Sequence, residues 1–378
     1  MKEGFINKKV TIAIPAKNEG RTIRDTLISL INLDYPMSDI EIIVADNGSS
    51  DNTKDIILEF QKEYPNIVRY LDASHCLGGG TTRELLFDNS NGEIFVCTDA
   101  DIIAHPEWIS ELVRPFEMDS KIGAVGGEIL SKVVDENNLV ELYCAQRDLL
   151  KVSKRRRIFT EGYIRGFRDQ DPSDLVGWYT PFFATANVAY KRSVIEKVGN
   201  KWDDNNDDEH FGFKVAAAGY KQYFVARAIV YHMHRNSVKE LVKQLYYYGY
   251  NHPKLLKQFS KNKFEILLGM DRHEKNYIKV PFLMPAVIFI GWFNSMILST
   301  LVTLLSYSSL INESVFPYSL SLAIISAIVF FYPCFKIKPR KMILFWMYLR
   351  LVVNFFYLIG VIKGSFKFRT VCIEEPNY

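Results

Sequence analysis

Asp99 and Asp101, separated by Ala100, follow directly on an apolar run at 94–97. Like charges this close repel, and each is costly to bury. A folded chain keeps such a pair only where water solvates it or a cation lies between the two carboxylates. A second acidic concentration falls at 203–209 and includes Asp207 and Asp208; its plain reading is a solvated loop ahead of a helix, whose N-terminus favours negative charge. His232 follows another strand-like run and is either a ligand or a structural histidine. Asp46 ends a further apolar run, and glycines 78–80 precede Arg83.

These groups need elements to position them. Residues 10–14 form a short β-branched run stopped by Pro15, and 19–32 carries apolar residues at helical spacing. A second run at 40–45 leads through an Asx-rich turn to a helical stretch at 53–64. A strand at 67–71, the glycine loop, a helix at 82–89 and the strand entering Thr98 come next. Strand and helix in alternation predict an α/β fold, a mainly parallel sheet covered on both faces. Ligands of such sheets sit at the carboxyl ends of the strands. Pro15 to Glu19, Asp46, the glycine loop and Asp99–Asp101 all fall on that edge. Any one of these loops is explained by turn chemistry; four together point to a site.

At this point the chain resembles the inverting family 2 glycosyltransferases of GT-A fold, with C-terminal membrane segments. The resemblance rests on IPAKNE at 14–19, VADNGSSDNT at 44–53, TDAD at 98–101 in the place of the family's D-x-D, and NDDEHFGFKVAAAGY at 206–220. It covers roughly 8–250 and implies a UDP- or GDP-linked sugar donor, a divalent metal (Mg2+ or Mn2+) and displacement with inversion. By that resemblance Asp101 ligates the metal and Asp99 shares the ion or faces the ribose; His232, if a ligand, completes the shell or touches phosphate. Pro15, Ala16, Asn18, Glu19 and Asp46 line the nucleoside site, with Gly79 and Ala100 in the donor loops. Arg83 reaches the pyrophosphate, where its planar guanidinium suits phosphate oxygens, or else forms a salt bridge. Aligning Gly219-Tyr220 with the family's AGY makes Asp208 the general base, with Asp207 beside the acceptor. Asn187, in a stretch of small residues, and Gln244 are further acceptor contacts. The Q-x-x-R-W signature of processive relatives is broken here by Tyr247 and Tyr248, which favours transfer of a single sugar.

A formal charge of +3 does not point to nucleic acid, and five widely spaced cysteines fit a reducing compartment. The start of the chain has no secretory signal, so the catalytic part is expected in the cytosol. The divisions expected are a catalytic domain at 1–235 (nucleotide half 8–102, acceptor half 103–235), amphipathic interfacial helices at 236–277 and a membrane region at 278–378. Residues 280–305 carry no charge over 26 positions and 315–335 none over 21, each enough for a span. The loop between them has no Lys or Arg, whereas Lys336, Lys338, Arg340 and Lys341 follow, which puts that basic link in the cytosol. Arg350 and Asn354 make 342–362 a re-entrant, interfacial or third spanning helix. The basic run 151–157 is a solvated face or a membrane-facing patch. The expected acceptor is a hydroxyl of a lipid-linked saccharide or glycolipid; the alternative is a polyprenyl phosphate, an anion that needs no base.

Overall fold

The computed structural model describes residues 8–153, 160–164, 182–204, 206–259, 263–267, 277–281, 286–289 and 291–373. Of the basic run at 151–157, residues 154–157 lie outside the described residues. The chain forms two compact units, one comprising the residues up to Asp135 and most of 148–234, the other Glu136–Arg147 and the chain from Arg235 onward.

The first unit is built on one mixed sheet. Its strands are β1 (Val10–Ala16), β2 (Ile40–Asp46), β3 (Val68–Asp72), β4 (Ile94–Cys97), β5 (Ile102–Ala104), β6 (Ile122–Lys132), β7 (Gly162–Ile164), β8 (Val188–Lys191) and β9 (Lys221–Met233). The order is β3-β2-β1-β4-β8-β6-β9-β5, with β7 also on β9. β1 to β4 pair in parallel; β8 turns antiparallel between β4 and β6. Ile12, Ile14, Ile42 and Val44 are fully buried, as expected of central strands covered on both faces. Helix α1 (Ile23–Ile31) buries Ile23, Leu27 and Leu30, and α2 (Thr53–Glu63) buries Ile56, Ile57 and Phe60. Both stripes recur every three to four residues, so each helix has one side to give to the sheet. Helices α3 (Gly79–Asp88) and α4 (Trp108–Val113) complete the first half of the sequence in this unit.

The second unit holds α5 (Leu139–Gln146). After α6 (Arg192–Val198) and α7 (Asp207–Ala217), which belong to the first unit, it continues with α8 (Val238–Phe259). Where interfacial helices were expected over 236–277, only α8 is helical among the described residues. Strands β10 (Lys263–Leu267) and β11 (Tyr277–Pro281) follow, joined by β12 (Ala286–Phe289) and β13 (Val371–Ile373) in a four-stranded sheet. The uncharged stretch 280–305 is therefore not one spanning helix. Pro281, the β-branched pair Val287-Ile288 and Gly291 break it, and helix α9 (Trp292–Tyr307) starts only past the glycine. α9 packs on α10 (Phe316–Phe331) as an antiparallel hairpin, with Phe293 against Phe330 and Thr303 Oγ1 donating to Ser319 Oγ at 3.0 Å. Helix α11 (Ile343–Phe368) covers the whole of 342–362. Two segments, Glu313–Lys336 and Arg340–Phe368, are long and apolar enough to cross a membrane.

Candidate active site at the carboxyl edge of the sheet

Parallel register sets Ala16, Asp46 and Asp72 level at the ends of β1, β2 and β3. β1 runs three residues past Ala13, the last to pair with β4 (opposite Cys97), so Pro15 is placed where its strand has no β4 neighbour to receive an N–H. Asn18 adopts a left-handed φ of 57°, which Asn tolerates better than most residues. Its Oδ1 accepts from Ser50 N at 2.8 Å, and its own N–H donates to Ser49 Oγ at 2.9 Å. Glu19 N donates to Thr53 Oγ1 at 2.8 Å. Asp46 is buried and accepts from Ser49 N at 3.0 Å. Asn47 N donates to Ala16 O at 2.8 Å, and its amide nitrogen lies 3.0 Å from Cys76 O and 3.2 Å from Thr82 Oγ1. The first three loops are thus tied to one another and to the start of α3.

The Asp99–Asp101 turn is fixed from both sides. Thr26 Oγ1 donates to Ala100 O at 3.0 Å, Thr98 Oγ1 to Ala186 O at 2.9 Å, and Met233 N to Asp101 O at 2.9 Å. β5 pairs with β9 so that Ile102 lies opposite His232, which delivers the histidine to the turn. His232 Nε2 is 3.5 Å from Asp99 Oδ2 and 3.3 Å from Asp101 Oδ1. Burial disfavours a charged imidazole here, but Asp101 and Asp99 overcome it and push the His232 pKa up to about 9. The ring's other nitrogen, Nδ1, lies 2.7 Å from Met233 O, so Nδ1–H donates to that carbonyl. In the neutral ring the lone pair is then on Nε2, facing both carboxylates. Ligand atoms of Asp99, Asp101 and His232 lie within 4.8 Å of one another, a donor set of hard oxygens and one imidazole that suits Mn2+ or Mg2+.

Arg83 connects this cluster to the acidic helix. Its side chain is only 4% exposed; Nη2 lies 3.2 Å from Asp99 Oδ1 and Nη1 donates to Asp207 Oδ2. Burial works against the guanidinium charge, but Asp207 and Asp99 outweigh it and hold the group firmly protonated. Burial also pushes the Asp207 carboxyl upward, against the opposing pull of Arg83. Asp208 is the next residue in the first turn of α7; its N–H donates to Asp207 Oδ1 at 3.0 Å, and its Oδ1 accepts from Glu209 N at 2.8 Å.

Arg83 therefore does not stand at the surface reaching for a ligand; it forms a buried ion pair. The glycines have a related task. A Cβ on Gly80 would lie 2.6 Å from Asp203 O, and one on Gly79 3.2 Å from Asp207 Oδ2, so the loop's bareness admits Asp203, Asp204 and Asp207. Thr81 N and Oγ1 both donate to Asp204 Oδ1, at 2.7 and 2.8 Å. Nothing in the local sequence of either segment announces these links. Beneath them lie Cys97, whose thiol burial pushes up to about 12, and Tyr190, whose buried hydroxyl has no hydrogen-bond partner among the described residues.

One expected acceptor contact is placed otherwise. Asn187 is buried: its Oδ1 accepts from Trp108 Nε1 at 2.8 Å and its Nδ2 donates to Glu128 O and Ala228 O, each at 2.9 Å. Both amide hydrogens are spent on joining strands β6 and β9 to α4, so this side chain has a structural task. Gln244 lies on α8 in the second unit, where its Nε2 donates to Tyr248 Oη at 3.0 Å.

The fold is similar to that of the mannosyltransferase PcManGT from Pyrobaculum calidifontis, solved in complex with GDP-Man and Mn2+. The likeness has a TM-score of 0.53 at 17% identity and covers 96% of this chain and 88% of that one. The class is thereby defined: the protein is a glycosyltransferase of GT-A fold. More narrowly, residues 11–199, half of the chain, match the family described as Glycosyl transferase family 2, and the chain belongs to that family. Among relatives, it is 32% identical over 230 residues to the "Probable glycosyltransferase YdaM" of Bacillus subtilis (59% of this chain, 50% of that one). It is 24% identical over 237 residues to the "Poly-beta-1,6-N-acetyl-D-glucosamine synthase" of Staphylococcus epidermidis (62% and 52%). The match thus spans about half the length of these relatives.

Proposed function

We propose that the protein is a membrane-anchored inverting glycosyltransferase. It moves one sugar from a UDP- or GDP-sugar to a hydroxyl of a lipid-linked saccharide or glycolipid at the cytosolic leaflet. The observation that supports this reading is the chain of contacts from His232 through Asp99 and Arg83 to Asp207, the residue before Asp208. Asp99, Asp101 and His232 would hold a divalent metal. Such an ion would supply positive charge that stabilises the leaving diphosphate. Asp46 accepts hydrogen bonds from the base, and the tips of β1 and β2 flank the nucleoside. Asp208 takes the proton of the acceptor hydroxyl as its oxygen bonds to the anomeric carbon from the face opposite the diphosphate. The carbon–oxygen bond to the diphosphate breaks with its electron pair, and the configuration inverts.

Support for the membrane comes from the apolar faces of the second unit. Leu298, Leu304, Ile324, Ile328, Leu344 and Phe366 are all more than half exposed. An exposed apolar surface of that extent marks a lipid or protein contact. The basic residues between α10 and α11 favour a cytosolic position for that end.

The test is a screen of the full chain against UDP-, GDP- and dTDP-sugars for metal-dependent donor hydrolysis, followed by Asp208→Asn. The substitution is expected to lower transfer about 10²- to 10⁴-fold while nucleotide affinity stays the same. Full activity in Asp208→Asn would remove the support for a hydroxyl acceptor.

A further inference from the structure

We propose that Arg83 is a positioning residue, one that couples the D-x-D turn to the helix carrying the base, and is not a ligand of the donor's phosphates. The inference rests on the assignment of Asp208 as base and adds to it how that base is placed. Three facts carry it. The guanidinium is buried and each of its terminal nitrogens is committed to a different carboxylate, Asp99 on the turn and Asp207 at the head of α7. Helix α3 holds the segment before α7 at several further points: Thr81 binds Asp204, Glu84 Oε1 accepts from Trp202 N at 3.0 Å, and Asn200 Nδ2 donates to Glu84 O at 3.1 Å and Asp88 Oδ1 at 2.9 Å. The glycines at the start of α3 leave no room for side chains between the two segments. Asn200, Trp202, Asp204 and Asp207 are thus all held on α3, and Arg83 links them to the turn. A planar fork can hold two carboxylates at a set separation; an ammonium cannot.

Asp208 follows Asp207 directly in the first turn of α7 and donates its N–H to Asp207 Oδ1, so its place relative to the reacting carbon depends on where Asp207 is held. A misplacement of about 1 Å at a reacting group costs on the order of 100-fold in rate. That figure sets the expectation for Arg83→Gln, Arg83→Lys and Asp207→Asn, made in the full chain. Each should lower kcat about 100-fold, with the donor KM and the calorimetric Kd of UDP or GDP in Mn2+ within about threefold of wild type. The Arg83→Gln/Asp207→Asn double variant should lose no more than the worse single variant, since both break one link. Mn2+ titrated alone should bind Arg83→Gln no more weakly than wild type, because a cation beside Asp99 has been taken away.

A phosphate ligand would behave differently. Arg83→Gln would then raise the nucleoside diphosphate Kd steeply, Arg83→Lys would restore much of it, and Asp207→Asn would leave it alone; that pattern, or multiplicative losses in the double variant, overturns the proposal. Should both Arg83 variants fail to fold, the near-isosteric Asp207→Asn decides, and wild-type kcat in it refutes the coupling. Loss of all metal-dependent nucleotide binding by the wild-type protein would instead refute the glycosyltransferase site itself, a separate outcome.

Discussion

The His232 imidazole connects the geometry of the D-x-D cluster to a number that can be measured. Without metal it is protonated, since Asp101 and Asp99 lie 3.3 and 3.5 Å from Nε2 and raise its pKa to about 9. A metal ligand must give up that proton. At pH 7 only about one molecule in a hundred has the neutral ring, so Mn2+ binding should be about 100-fold weaker than at alkaline pH, or about 3 kcal/mol. Affinity should rise nearly tenfold per pH unit between about pH 6.5 and 8.5. The assay is calorimetry of Mn2+ into metal-free protein in two buffers of different ionisation enthalpy, which counts protons released per ion. Close to one is expected at pH 7, and His232→Gln should abolish both the release and the slope. A flat affinity across this range, or a release near zero, would refute the assignment of His232 as a ligand. The same shift sets a stability dependence in chelator. The folded pKa is raised, so the stabilisation is fully present below the unfolded value of 6.5 and is lost as pH rises through about 9, with an amplitude of about 3 kcal/mol in denaturant titrations.

Other substitutions separate scaffold from site. Asn187→Leu strands the Trp108 N–H and two buried carbonyls, and should cost about 3 kcal/mol in denaturant unfolding while the UDP or GDP affinity of the folded fraction is unchanged; a selective loss of acceptor KM would restore Asn187 to the site. A Cβ on Gly360 would lie 2.2 Å from Tyr246 O, so Gly360→Val should force α8 and α11 apart and lower the melting temperature by several degrees, read by scanning fluorimetry. Ser309→Cys, at the tip of the α9–α10 hairpin, should be labelled by an impermeant thiol reagent on intact cells if the hairpin crosses to the far side; labelling only after lysis would show that it does not.

The catalytic half was legible because its signals are local. Strands of β-branched residues, each followed by Asx or glycine turns, must lie in a covered parallel sheet, and that arrangement alone brings Asp46, Asp99 and Asp101 to one edge. His232 was within reach of the same reasoning, since a histidine at the end of a strand-like run has to emerge near another strand's tip. Arg83 was not. Its two partners are 16 and 124 residues away, and whether a cation after a glycine loop faces a ligand or an internal carboxylate depends on what packs over the loop. Asn187 was misleading for a similar reason. Small residues around an amide fit a substrate approach and a tight strand crossing equally well, and only the positions of Trp108, Glu128 and Ala228 distinguish them.

The C-terminal region shows the limit of counting apolar residues. Over 280–305 composition is uniform, yet proline and β-branched residues divide it between strand and helix, and α9 is left with 16 residues, about 24 Å at 1.5 Å per residue. That is short of a hydrocarbon core of about 30 Å. Over 342–362 the sequence raises an objection, Arg350, which would cost about 2.5–3.5 kcal/mol in mid-bilayer. The structure offsets part of that cost. Arg350 Nε donates to Phe330 O at 2.6 Å, in the last turn of α10, so the guanidinium satisfies an otherwise orphaned carbonyl at the end that leads into the basic link. Meanwhile Leu344, Tyr348, Leu351, Phe355, Ile362 and Phe366 are exposed at intervals of three, four and seven residues, a single apolar stripe. Gly360 and Gly364 face α8 on another side, where only a missing side chain allows the backbones so close. An exposed apolar stripe on one side and Arg350 and the glycines held against protein on the others make a division of faces that an average over the segment cannot express.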